Sequence, residues 1–189
     1  MTDAQWYRQL TDRPPGGEVN FWRPAGGRRF AAIAPGEPFF FKTHHPHNRI
    51  VGGGLYSGSA PLPISDAWDM FDVANGTTTF AQMRSRVAQY RPDGLADGDD
   101  PVIECIFVRE TRFFHAEETA AAPPEFAPSV VQGKSYDLAD ARWSGYFADL
   151  LRRVLDTHAV IDLAAPCRST VTPASSRSGW DSGPSGPSS

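Results

Sequence analysis

Cysteine is nearly absent: Cys105 and Cys167 are the only two in 189 residues, far apart in the chain. That rules out a disulfide framework and makes a reducing, cytosolic (cytoplasmic) setting the expectation. No apolar run approaches the roughly 20 residues that a bilayer-crossing helix needs. The N-terminus, MTDAQWYRQL, lacks the basic-then-apolar layout of a secretion signal. There is no G-x-x-x-x-G-K-[ST] and no G-x-G-x-x-G leading into a helix, so nucleotide cradling has no sequence support. No G-x-S-x-G elbow, C-x-x-C pair or H-E-x-x-H helix occurs either, and no acid–base pair stands out as catalytic. Internal repeats are missing. A net charge of -4 argues against general affinity for nucleic acid.

What is present is aromatic and unevenly charged. With 40% hydrophobic and 21% charged residues, the chain suits one globular domain with tails. Twelve Phe, five Trp and five Tyr can fill a compact β-rich interior. Arg23, Arg28, Arg29, Lys42 and Arg49 stand against only Glu37 between positions 23 and 49, whereas 93–118 is strongly acidic. An acidic domain can still turn one basic face to phosphates.

Pattern predicts an α+β fold. Residues 1–17 read as a short helix and a flexible lead-in ending in PPGG. Phe39–Lys42 and Ile50–Tyr56 read as strands joined by the turn HHPHN, where Pro46 cannot donate to a ladder. Ile64, Trp68 and Phe71 mark a helix, with Ser65 or Asp66 near its cap and a stop at Asn75-Gly76. Phe80, Met83, Val87 and Tyr90 share one face of a second helix over 79–90. VIECIFVRETRFF (Val102–Phe114) is the strongest strand, and its near-continuous apolar start predicts a central one. SVVQGKSYDL (129–138) resumes β character. A closing helix over 139–157 carries Trp143, Phe147, Leu150, Leu151 and Val154 on one stripe. The Ser/Pro/Gly-rich tail, 159–189, has too little apolar content to fold.

The stretch FFFKTHHPHNRIVGGG (Phe39–Gly54) gathers the chemistry. His44, His45 and His47 could ligate a metal, but no spacing supplies a third or fourth ligand, and a solvated turn is the simpler account. Cys105, inside an apolar strand, should be buried and inert. What survives is a pocket or groove built on strands. Its rim would draw on Lys42, the histidines, Asn48, Arg49 and Tyr56, with Lys134, Tyr136 and Asp137 from the later segment. Such a set supplies what reading an extruded base needs: stacking faces, edge donors and cations for flanking phosphates. Core aromatics and solvated cations are an equally physical reading of each residue taken singly.

NFWRP (20–24), GEPFFFK (36–42), PHNRIVGGGLY (46–56), LPISDAWDMFDVANG (62–76), the strand ending in RFF, and SVVQGKSYDL follow one another in an order that is similar to a known family. Together they resemble the N-terminal, SRA-like, modified-cytosine-reading domain of McrA-type HNH restriction endonucleases, over roughly residues 18–156. The resemblance implies an SRA/PUA-type fold, a strongly curved sheet closing toward a β-barrel with flanking helices, for a domain over 18–158. It implies a non-catalytic chain that binds duplex DNA carrying methylated or hydroxymethylated cytosine, with the base flipped out. Lys42, Arg49 and Lys134 would then meet phosphates. His47, Asn48, Tyr56, Tyr136 and Asp137 would line the pocket, and Gly52, Gly53 and Gly54 would allow close backbone approach. No cofactor is expected; the divalent metal belongs to the nuclease domain, whose H…N…H finger is missing after Thr157. The resemblance puts a glycine after Phe71, where this chain has Asp72. Read in another frame, the codons of 179–184 accommodate a linker-like segment, so a frameshift is expected to have removed the nuclease. A PUA-like RNA or small-molecule binder and an active HNH nuclease are the competing readings.

Overall fold

The computed structural model describes residues 4–24, 30–44, 46–123 and 134–164; for 156–164 only the helical backbone is described. Among the described residues five antiparallel strands form one sheet: β1 (Gly17–Arg23), β2 (Pro38–Lys42), β3 (Arg49–Pro63), β4 (Val102–Phe113) and the two-residue β5 (Ala120–Ala121). The order is β1-β4-β3-β2, with β5 against the start of β3. The near-continuous apolar run of β4 is thus placed between two partners, as such a run requires. Among the described residues four α-helices flank the sheet: α1 (Ala4–Leu10), α2 (Ile64–Phe71), α3 (Phe80–Gln89) and α4 (Ala141–Ala164).

The sheet is bent sharply but is not closed into a barrel. Flat, β1 and β2 would lie about 14 Å apart, three strand spacings. Yet Phe21 of β1 meets Phe39 and Phe41 of β2 at ring separations of 5.6 and 6.0 Å. The bend has a local cause. β4 carries an extra residue at Glu110, whose φ is +52°, and the register slips there against both β1 and β3. A bulge in an inner strand sharpens twist on both sides at once. The edges β1 and β2 do not hydrogen-bond to each other.

Three apolar clusters follow from strand alternation. On one face Trp6 and Leu10 of α1 cover Val19, Phe41, Val51, Tyr56, Ile106, Val108 and Phe113. Ile64 and Ala67 of α2 with Met83 and Val87 of α3 cover Ile103 and Cys105. Phe147, Leu150 and Val154 of α4 cover Ile50 and Phe114. Of the predicted stripe of α4, Trp143, Phe147, Leu150 and Val154 pack inward, while Leu151 is half-buried and outside the cluster.

Several expectations are corrected. Residues 4–10 are part of the folded body, because Trp6 is 4% exposed and Leu10 not at all. No sequence pattern predicts β1, whose burial does not alternate: Val19 and Asn20 are both buried, and Phe21, Trp22 and Arg23 are all half-buried. β3 runs on to Pro63, past the expected end at Tyr56. Beyond Tyr56, which still bonds to Gly36 and Glu37 just before β2, that side of β3 is an open edge, and there Pro61 and Pro63 leave no ladder bond unmade. Residues 134–138 are irregular, not a strand, while 129–133 lie outside the described residues. Tyr90 is 62% exposed, because α3 ends one residue earlier. Helix α4 continues to Ala164, into the segment expected to be a tail; 165–189, with Cys167 and the proposed frameshift, lies outside the described residues. No described helix is long and apolar enough to cross a membrane.

Candidate functional site

The β2–β3 turn is built around a buried lysine. Lys42 is 5% exposed, and its ammonium donates to Thr43 O (3.1 Å) and Asn48 Oδ1 (2.7 Å). Burial lowers its pKa from the ordinary value of 10.5. Asn48 takes φ +46°, a left-handed conformation that Asn tolerates better than most residues. Its N–H donates to His44 O and its carbonyl accepts from Ala122 N. Thr43 closes the turn from the other side: its N–H donates to Arg49 O, and its hydroxyl accepts from Arg49 N at 3.0 Å. The turn is thus over-determined, with Lys42 as its internal cation rather than an outward contact. His47 and Arg49 are exposed on it, and His45 lies outside the described residues.

Gly52, Gly53 and Gly54 are used up by the sheet itself. A Cβ on Gly52 would stand 2.4 Å from Arg112 O, and one on Gly54 2.6 Å from Arg109 O and 2.7 Å from a Val108 methyl. On Gly53 it would meet the Phe40 ring at 2.7 Å. Close approach is needed here, as the sequence implied, but the surfaces approached are β4 and β2. Tyr56 is likewise core: it is 5% exposed, with Phe30 edge-on at 5.3 Å.

The later segment reaches the same end of the sheet. Tyr136 packs on Phe147 (4.9 Å) and Trp143 (5.2 Å), and the ammonium of the exposed Lys134 lies 4.8 Å from the Tyr136 ring centre. Tyr146 joins this segment to the turn. Its hydroxyl donates to Ala121 O, and Ala121 pairs with Arg49. Burial first, and Tyr136 second, push its pKa up to about 12, against the pull of Arg153 and Arg49. Arg49, Lys134 and Tyr136 therefore gather around α4. Asp137 is exposed and accepts from Ala139 N, a local turn contact.

Other groups were missed by sequence reasoning. Asn20 and Asn75, both fully buried, bond to each other at 2.9 Å, and Asn20 also donates to Cys105 Sγ at 3.2 Å. Asn75 donates to Ala67 O and Asp72 O, and its own carbonyl accepts from Trp22 Nε1. These bonds tie β1 to the 3-10 turn after α2. Cys105 is buried as expected; burial chiefly pushes its pKa up to about 11, so it is a thiol at neutral pH. Glu104, 1% exposed, accepts from Phe30 N at 2.8 Å, and Ser59 donates to Phe30 O at 3.2 Å. Together they pin the return from the 25–29 segment. Nothing in the sequence marks Glu104 as buried except its place in an apolar run.

Among the described residues no group of three His, Cys, Asp or Glu comes together in a way that could hold a metal ion. An open depression is lined by residues of the acidic 91–101 loop, away from the predicted rim. Comparison with protein-family models, with curated proteins and with solved structures returned no match to this chain.

Proposed function

We propose that this chain is a DNA-reading module of the SRA/PUA type. On this reading it binds duplex DNA carrying methylated or hydroxymethylated cytosine, with the modified base turned out of the stack. One observation carries it: the locked 43–49 turn, displaying His47 and Arg49, lies at the same end of a sharply bent sheet as Lys134 and Tyr136. Two segments far apart in sequence thereby bring cations, an aromatic face and polar tips to one surface. That combination holds a nucleic-acid backbone while a base is read. Lys42 and Asn48 serve the reading by fixing the turn, and Gly52–Gly54 by letting β3 lie close against β4 and β2.

The test is a gel-shift series with methylated, hydroxymethylated and plain duplexes and a single-stranded RNA of the same sequence. A modified duplex is expected to bind tighter than the plain one by about 10-fold or more, the scale of one base's discrimination. Weak, salt-sensitive binding of equal strength to all duplexes sinks the reading. Preference for the RNA replaces it with the PUA-like RNA-binding alternative.

A further inference from the structure

Three arginines from three elements meet at residues 118–119. Arg49 of β3 donates Nε to Thr119 Oγ1 and Nη2 to Thr119 O. Arg153 of α4 donates Nη2 to Glu118 O. Arg112 of β4 donates Nη1 to Arg153 O and Nη2 to Glu118 Oε1. The guanidinium carbons of Arg112 and Arg153 both stand over the buried Phe114 ring, 5.6 and 4.7 Å from its centre.

The charges do not balance. Glu118 is the only carboxylate paired with any of the three among the described residues. Burial by itself would raise its pKa, but the His115 N–H and the Arg112 charge hold it below the usual value, so it is ionised. Three cations therefore face one anion. Elsewhere Arg109, Arg142 and Arg152 each pair with one carboxylate, of Glu110, Asp140 and Asp149, while Arg84, Arg86 and Arg91 each donate to different backbone carbonyls. Two guanidiniums sharing one ring repel each other in a partly buried setting, where screening is weak. Arg49 Nη1 and Arg153 Nε and Nη1 have no protein partner among the described residues. Guanidinium edges with spare N–H groups and surplus positive charge suit a tetrahedral oxyanion.

We propose that Arg49 and Arg153, with Arg112 and Glu118 holding Arg153 in place, form a phosphate-binding subsite. This deepens the reading above, on which the phosphate is one or more of the DNA backbone; a free phosphate ester or pyrophosphate would use the same chemistry. None of the sequence patterns marks Arg153, a half-buried residue beside the apolar stripe of α4.

The experiment compares wild type, R49Q/R153Q and the charge-keeping R49K/R153K, each first checked for cooperative thermal unfolding. Two readouts are taken: the salt dependence of duplex binding, and the melting shift caused by pyrophosphate at fixed ionic strength. Each phosphate contact contributes about 0.9 to the slope of log K against log salt. R49Q/R153Q should flatten that slope by about 1 to 2, and R49K/R153K should largely keep it. Pyrophosphate should raise the melting temperature of wild type saturably and of R49Q/R153Q much less. If wild type binds no duplex yet shows the arginine-dependent pyrophosphate shift, the DNA reading fails and the subsite stands, with a free phosphate as its source. If modified duplex is preferred but the slope and the melting shift ignore both arginines, the subsite is overturned and the DNA reading stands.

Discussion

Asp72 shows how one residue can carry a local cost that its neighbours absorb. Its φ of +43° with ψ of -125° ends α2, a combination that only glycine adopts without strain. The position is held because Asn75 accepts no alternative: its side chain clamps Ala67 O and Asp72 O, and Gly76 behind it has the Trp6 ring where a Cβ would sit. Asp72→Gly should therefore stabilise the fold, by about 1 kcal/mol, the strain removed minus the added chain entropy of glycine. Urea midpoints of the two proteins decide it, and a lower midpoint for the variant would mean that the aspartate side chain makes a compensating contact. The opposite sign is expected one turn later. Asn75→Ala leaves the Asn20 amide and the Ala67 and Asp72 carbonyls short of a partner in a dry interior, and should cost several kcal/mol. The Trp22 bond runs to the Asn75 backbone and survives only if the turn holds its shape.

Elements differ in how openly the sequence announces them. Helix α1 is the least obvious and among the most embedded. Trp6 touches Phe21 (5.4 Å), Phe41 (5.1 Å) and Phe113 (5.7 Å), three strands at once. Trp6→Ala should cost about 3–5 kcal/mol, as for other fully packed large rings. A loss below about 1 kcal/mol in chemical denaturation would return 4–10 to the status of a lead-in. The PPGG breaker hid this, because a breaker says where a helix ends and nothing about where its face is buried. Strand β4 was legible from its apolar run and helices α2, α3 and α4 from their periodic apolar faces, but not the start of α2, where Pro63 stands at the N-cap and neither Ser65 nor Asp66 caps the helix. The far half of β3 was not, since Pro61 and Pro63 look like breakers until the open edge beside them is known. The candidate site was legible only in part. The turn could be read from Pro46 and Asn48, whereas the inward aim of Lys42 and Tyr56 depends on cross-strand register, which composition does not encode.

At the scale of the whole molecule, the ionisable groups define a stability plateau with two different edges. On the acid side Glu118, Asp100 and Asp140 all have lowered pKa values. For Asp100 the Ser65 hydroxyl leads, for Asp140 the Arg142 bond leads, and for Glu118 hydrogen bonding and Arg112 overcome burial. A lowered carboxylate stabilises the fold above its ordinary value, here 3.8 to 4.5, and that contribution is lost as pH falls through the folded value. On the alkaline side Cys105 moves from 9.0 to about 11 and Tyr146 from 10.0 to about 12. A raised acid keeps its proton in the folded state while the unfolded chain loses it, so stability is full below the ordinary value and drains away above it. Lys42 acts the other way, because its lowered pKa makes the unfolded chain the stronger proton binder up to 10.5. Stability should accordingly hold level through neutral pH and start to fall near pH 9, led by Cys105, with a loss on the order of 2 kcal/mol by pH 11. Cys105→Ala should delay that onset to about pH 10, where Tyr146 takes over, at the expense of a small uniform loss from the Asn20 bond it removes. Urea unfolding followed every half unit from pH 7 to 11.5 separates the two. Identical alkaline onsets in both proteins would show that the thiol titrates no differently folded than unfolded, and that the Cys105 environment is wetter than its complete burial between β1, β3 and α2 implies.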